Sequence, residues 1–292
     1  MDSSTKRERA RAILLAGALG DAIGATYEGK DAPTEIVVAD HLLVTDDTQL
    51  TLATCQSIIA ERRIDPESIA RQFLEWFRAR RLTGLGSSTL KALVDLDAGG
   101  HWAMVGAQGE RTAGNGAAMR IAPLSFLLDP EDELDRQTLR DVCQITHHHD
   151  EAYVGALAIA LSLKYVMAGE PLDGELLSLL LAALPDSRVR DRLLKLRERT
   201  PTVADYANEF GATGYVVDSV PLAILAALNA RDFDSLIQEI IACGGDTDTI
   251  ASMAAQVFAA ARGRSALPEE LTARLDVAEL LTDTVRQMEE LL

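Results

Sequence analysis

From about residue 8 onward, apolar residues recur at three- and four-residue spacing in one segment after another, and that period restricts the fold more than anything else. It predicts helices over ~8–26, ~48–62, ~66–80, ~87–97, ~116–128, ~136–145, ~150–168, ~174–184, ~187–197, ~203–208, ~216–229, ~232–242 and ~247–262, with one or two more behind. In PESIARQFLEWFRAR, Pro66 takes a first-turn position and Ile69, Phe73, Trp76 and Phe77 make the apolar stripe. The one plausible strand is EIVVADHLLV, near residues 35–44, and its pattern is ambiguous. No Pro/Gly/Ser-rich linker and no repeat divides the chain. Hydrophobic residues make up 48% and aromatics only 4%, so the core is built on Ala and Leu, which favour helix over sheet. The expectation is all-α: one compact domain over residues 1–292, with more than ten helices.

A formal net charge of -17 repels a phosphate backbone, so no nucleic-acid partner is expected. The same charge leaves room for a small anion held by glycine amides or by a metal. The opening KRERARAILLAGALGDAIGATY has the outline of a leader, basic and then apolar. Yet Asp21 interrupts the apolar run, Glu8 sits among the basic residues, and the uninterrupted stretch is too short to span a bilayer. We expect it to be the first core helix of a cytoplasmic protein without a membrane partner. Cys55, Cys143 and Cys243 are odd in number, far apart and without zinc-site spacing, which fits buried, reduced thiols.

Two acidic motifs stand at predicted helix starts. VTDDTQLTLA places Asp46 and Asp47 between Thr45 and Thr48, and CGGDTDTIASMAAQ places Asp246 and Asp248 among Thr247 and Thr249. Taken singly, each reads as a helix cap, because Asp and Thr satisfy first-turn amides and a carboxylate is favoured by the helix dipole. One Asp suffices for that. A second beside it adds repulsion unless a cation neutralises the pair. If the two starts meet, four carboxylates converge, and an oxygen-only donor set without His or Cys selects Mg²⁺, Mn²⁺ or Ca²⁺ over zinc or copper.

Three further stretches carry polar chemistry on helix ends. In AGALGDAIGATYEGK, Gly17, Gly20 and Gly24 share one helical stripe, the pattern of close helix packing; Asp21 sits among apolar residues as a hydrogen-bonded buried carboxylate, and Glu28 follows the helix, where it can reach into a cleft. GAQGERTAGNGAAMRIAPL surrounds Asn115 with Gly109, Gly114 and Gly116, a turn whose amides suit an anion. In ITHHHDEAYVGA, adjacent His147, His148 and His149 point in different directions, so they do not share one metal; Asp150 is the expected cap of the next helix, and His147 is the functional candidate.

In order, GALGDAIGATYEG, VTDDTQLTLA, AGNGAAMRIAPL, ITHHHDEAYVGA, GYVVDSVPLAI and GGDTDTIASMAAQ resemble the ADP-ribosylglycohydrolase family over about residues 8–265. The resemblance implies an all-helical domain with a dinuclear site in a central cleft, holding two Mg²⁺ or Mn²⁺ ions. It also implies cleavage of the glycosidic bond between ADP-ribose and a protein side chain. By resemblance, Thr45, Asp46, Asp47, Asp246, Asp248 and Thr249 are metal ligands, and Asp47 and Asp248 join Glu28 as catalytic residues. Gly109, Thr112, Gly114, Asn115 and Gly116 correspond to the loop around the diphosphate and distal ribose, His147 to a ligand-contacting histidine, and Tyr215 to an aromatic near the adenosine. Arginine-linked ADP-ribose on a protein is the default substrate. Thr112 departs from the acidic residue of the nitrogenase-activating branch, which keeps O-linked substrates open: serine-linked ADP-ribose or the small molecule O-acetyl-ADP-ribose. A non-catalytic ADP-ribose-binding relative is the remaining alternative, and intact carboxylates in both motifs argue against it.

Overall fold

The computed structural model describes residues 3–30, 33 and 35–292. Its helices are α1 (Ser3–Ala25), α2 (Asp46–Glu61), α3 (Pro66–Arg78), α4 (Ser87–Asp97), α5 (Ala122–Ser125), α6 (Glu133–Gln144), α7 (Asp150–Ala168) and α8 (Gly174–Ala183). There follow α9 (Arg188–Arg199), α10 (Val203–Phe210), α11 (Val216–Asn229), α12 (Phe233–Cys243), α13 (Thr247–Arg262), α14 (Glu269–Thr272) and α15 (Ala278–Glu289). The only named strands among the described residues are β1 (Ala107–Gln108) and β2 (His147–His148), a short parallel pair in which Ala107 faces His147.

Residues 35–44 are not a strand. They run irregularly, with one bridge from Leu42 to Leu275; Val37 and Leu43 stay exposed, while Leu42 and Val44 join the core. The helix expected over ~116–128 is also cut down to α5. Its apolar residues are buried by tight turns between Asn115 and Ile121, and Pro123 lacks the amide that a longer helix would need there.

One hydrophobic core joins these elements. Among the described residues α7 alone is long and apolar enough to cross a membrane, but most of it is buried inside the fold. At the centre, α1 lies directly on α13. A Cβ added to Gly20 would come within 2.4 Å of the Ala251 carbonyl oxygen, and one on Gly24 within 2.4 Å of that of Thr247. Only glycine permits this separation. The same seam sets Asp21 of α1 against the start of α13.

Candidate active site

Capping accounts for only part of the two acidic motifs: neither N-cap side chain holds a first-turn amide, although Asp248 Oδ1 accepts that of Thr249 at 2.8 Å. Asp65, Asp132, His149, Asp173, Ser187, Thr202 and Asp232 each accept a first-turn amide at the start of their helices. Thr45 before α2 and Asp246 before α13 make no such bond. The cap of α2 comes instead from α1: Asp21 accepts from the Thr45 amide (3.0 Å) and hydroxyl (2.7 Å) and from the Thr48 amide (3.1 Å) and hydroxyl. Neither Asp46 nor Asp47 is needed as the N-cap of α2.

The two helix starts meet. Thr249 Oγ1 on α13 donates to Asp47 Oδ2 on α2 at 3.1 Å. Oxygens of Asp21, Asp47 and Asp248 lie within 4.8 Å of one another, as do those of Glu28, Asp246 and Asp248. Asn115 steadies Asp246 with a 2.6 Å bond and reaches Ser219 at 3.2 Å. Asp47 Oδ1 is buried without any partner. Burial first, and the neighbouring carboxylates with it, lift Asp46 and Asp47 well above the usual carboxylate range. Desolvation likewise carries Asp21 and Asp248 up to about 7 and raises Asp246 and Glu28. Such a set is stable only when protonated or when cations sit among it. An orphaned buried carboxylate oxygen within an all-oxygen donor set fits hard divalent cations.

A cavity of about 240 Å³ opens onto this cluster, walled by Asp46, Asp246, Asp248 and Thr249 on one side and by Asn115, Gly116 and His147 on another. Glu28, at its rim, is exposed. The first turn of α4, Ser87 to Thr89, also faces the cavity, and Gly86 before it gives no side-chain cap. Sequence reading missed this wall, because Ser and Thr at a helix start signal nothing beyond capping. It also took Asp21 as purely structural.

Four of the expected binding residues lie off the cavity wall. Gly109 and Thr112 belong to an exposed turn in which the Thr112 hydroxyl donates to the Gly109 carbonyl at 2.7 Å. Thr112 is not among the residues that line the cavity. Gly114 bridges to Tyr215, and Tyr215 lines a neighbouring groove of about 380 Å³ with Arg188, Arg192 and Lys195. Gly214 joins the two spaces, since it lines the first and precedes Tyr215.

Comparison with known proteins agrees with the geometry. The model of the ADP-ribosylglycohydrolase family matches residues 2–292. The chain is 28% identical to the mouse ADP-ribosylhydrolase ARH3 over 89% of its own length and 85% of the relative's. It is 27% identical to the ADP-ribosylarginine hydrolase Tri1 of Pseudomonas putida, over 97% and 80% of the two chains. A solved structure described as an ADP-ribosylglycohydrolase-related protein complex superposes with a TM-score of 0.81 at 25% identity, covering 99% of both chains. With its paired acidic helix starts converging on one cleft, the chain belongs to the ADP-ribosylglycohydrolase family and is a glycosidic-bond hydrolase.

Proposed function

We propose that this enzyme removes single ADP-ribose groups from protein side chains, arginine-linked groups foremost, with two Mg²⁺ or Mn²⁺ ions in the acidic cluster. The observation that carries this reading is the pair of aspartate-rich helix starts that meet at one cavity. A relative named as an ADP-ribosylarginine hydrolase, matched over 97% of the chain, supports the arginine linkage. Two fully buried free thiols, Cys55 and Cys143, support a reducing, cytoplasmic setting.

Asp21, Asp47 and Asp248 would hold one ion, and Asp246 and Asp248 the other with Glu28 beside them at the rim, while Thr45, Asp46 and Thr249 stand at their flanks. Bound there, the cations would neutralise the carboxylates and polarise hydroxyls of the distal ribose. The cavity is smaller than the roughly 300–1,000 Å³ of pockets that engulf a drug-sized ligand, which suits one sugar ring at the cluster. The uncapped first turn of α4 suits a phosphate, and the Tyr215 groove suits the adenosine.

Hydrolysis breaks the bond from the ribose anomeric carbon to the side-chain nitrogen or oxygen and forms one to water. The transition state carries positive charge on the sugar, which the surrounding carboxylates stabilise. Glu28 stands at the rim with a raised carboxyl, placed to take a proton from water or to give one to the leaving group. Free ADP-ribose release from matched arginine-linked and serine-linked peptides, in Mg²⁺, Mn²⁺ or EDTA, tests the reading. Metal-dependent release from the arginine peptide alone is expected; release from the serine peptide alone replaces the linkage, and release from neither sinks the proposal.

A further inference from the structure

Arg120 heads the largest fully buried side chains among the described residues, at 1% exposure, and its hydrogen bonds go to no carboxylate. Its Nε donates to the Gly116 carbonyl at 3.1 Å, and its Nη2 to Thr146 Oγ1 at 2.7 Å and to the Val142 carbonyl at 3.4 Å. The Phe73 ring lies 4.7 Å from the guanidinium, and Nη1 has no partner. A buried cation with no carboxylate in contact is costly, even with Asp46 near enough to favour its charge, and an apolar side chain of similar volume would fill the space at less cost. The guanidinium therefore asks for a role beyond packing.

Hydrogen-bond accounting supplies one. Thr146, fully buried, contacts Arg120 Nη2 and, at 2.8 Å, His147 Nδ1. Arginine can only donate, so that contact uses a lone pair of Thr146 Oγ1. The hydroxyl's own proton then has one acceptor among the described residues, His147 Nδ1. Were Nδ1 protonated, the Thr146 proton would be buried and unpaired, at the cost of a lost hydrogen bond. The imidazole proton is thus placed on Nε2. That nitrogen has no hydrogen-bond partner among the described residues, and the His147 ring lines the cavity. The ring fits there because residues 114 and 116 are glycines: a Cβ on Gly116 would stand 2.8 Å from its Cε1, and one on Gly114 3.1 Å from Nε2.

We propose that Arg120 is a positioning residue that acts through Thr146 to hold His147 as the neutral Nε2–H tautomer, presenting a fixed hydrogen-bond donor to an oxygen of the ADP-ribosyl ligand. The inference rests on the reading that the cleft takes ADP-ribose. Because the same guanidinium grips the Gly116 carbonyl, the donor and the glycine turn are set in register with each other. Burial, and after it the Arg120 charge, depresses His147 to about 3, in keeping with a ring that stays neutral.

Long-range ¹⁵N NMR of the histidines in the ligand-free parent protein is the first test, and it needs neither ligand nor variant. A pyrrole-type Nε2 and pyridine-type Nδ1 at His147 are expected; the reverse assignment overturns the proposal. ADP-ribose binding by calorimetry is the second, with Thr146→Val and Thr146→Ser. Thr146→Val should bind about tenfold more weakly, the loss of one hydrogen bond, with a mixed tautomer at His147. Thr146→Ser should restore both. Parental affinity and tautomer in Thr146→Val, or an equal loss in Thr146→Ser, would show that the methyl group rather than the hydroxyl matters and would end the idea. A parent protein that binds no ADP-ribose overturns the functional reading and, with it, the ligand half of this one; the spectrum decides the tautomer half alone.

Discussion

Replacing Gly24 with alanine should disable the metal site from behind. The added Cβ would stand 2.4 Å from the Thr247 carbonyl oxygen, 2.6 Å from the Asp248 Cα and 2.7 Å from the Asp248 amide nitrogen. A carbon–oxygen contact wants about 3.3 Å or more, so α1 and α13 must part by close to ~1 Å. All three atoms are backbone, and none can swing aside. Asp248 rides on that backbone, while Asp46 and Asp47 ride on α2, so the two acidic starts separate by a large part of the displacement. Metal–ligand distances tolerate only about ±0.2 Å. Overpacking of this kind costs about 1–3 kcal/mol, offset by at most about 1 kcal/mol from the better helix former. The fold should therefore survive. We expect the thermal stabilisation by Mn²⁺ over EDTA to shrink sharply and ADP-ribose release to fall by at least about tenfold. Gly174→Ala is the control, because a Cβ at Gly174 meets nothing within 4 Å. A Gly24→Ala protein with parental metal affinity and turnover would refute the seam as the device that sets the cluster's spacing.

Asp47→Asn removes one charge from the crowd and gives the orphaned oxygen's position a neutral group. The metal-free protein should be more stable by on the order of 1 kcal/mol, and so melt later, while metal-dependent turnover falls at least about 100-fold; an earlier melting point in EDTA would contradict the repulsion. Asp248→Ala should likewise abolish metal-dependent turnover with the circular dichroism of the helices intact, and full activity would sink the two-ion mechanism. Metal stabilisation should grow with pH. Asp21 and Asp248 are raised to about 7 in the metal-free fold, so below that pH protons compete with the cation, and above it they are gone. The difference in melting point between Mn²⁺ and EDTA should be larger at pH 8 than at pH 5.5, a comparison in which His147 contributes equally to both arms. A difference that shrinks as pH rises would be fatal to the donor set.

The acidic centre was legible because doubled aspartates are excessive for a cap, and that excess is visible without coordinates. The boundaries of α11 and α13 were legible for another reason: each begins behind a glycine-bearing turn and carries an apolar period along its whole length. What failed to show was whatever depends on a partner distant in sequence. Asp21 looked like a lone buried carboxylate, since nothing local reveals that it caps a helix whose first residues lie some two dozen positions on. Thr112 and Gly109, expected by resemblance in the loop around the ligand, stand off the cavity wall, where the Thr112 hydroxyl donates to the Gly109 carbonyl. Around Met119 and Ile121, burial on every side imitated a helical stripe, and period alone cannot separate a buried turn from a buried helix.

The α1–α13 seam also has a consequence in time. Thr247 and the Gly24 carbonyl it binds are separated by 223 residues. At the roughly 5–20 residues per second of ribosomal synthesis, α1 waits on the order of 10–45 s for the helix that covers it. During that interval its glycine stripe and neighbouring Leu19 and Ile23 have no native cover from α13, and Asp21 has no Asp248 beside it. Catalytic competence is then acquired late and all at once. A ribosome that stalls before α13 leaves a chain that carries Asp21, Glu28, Asp46 and Asp47 but lacks Asp248, and a first helix without its native cover.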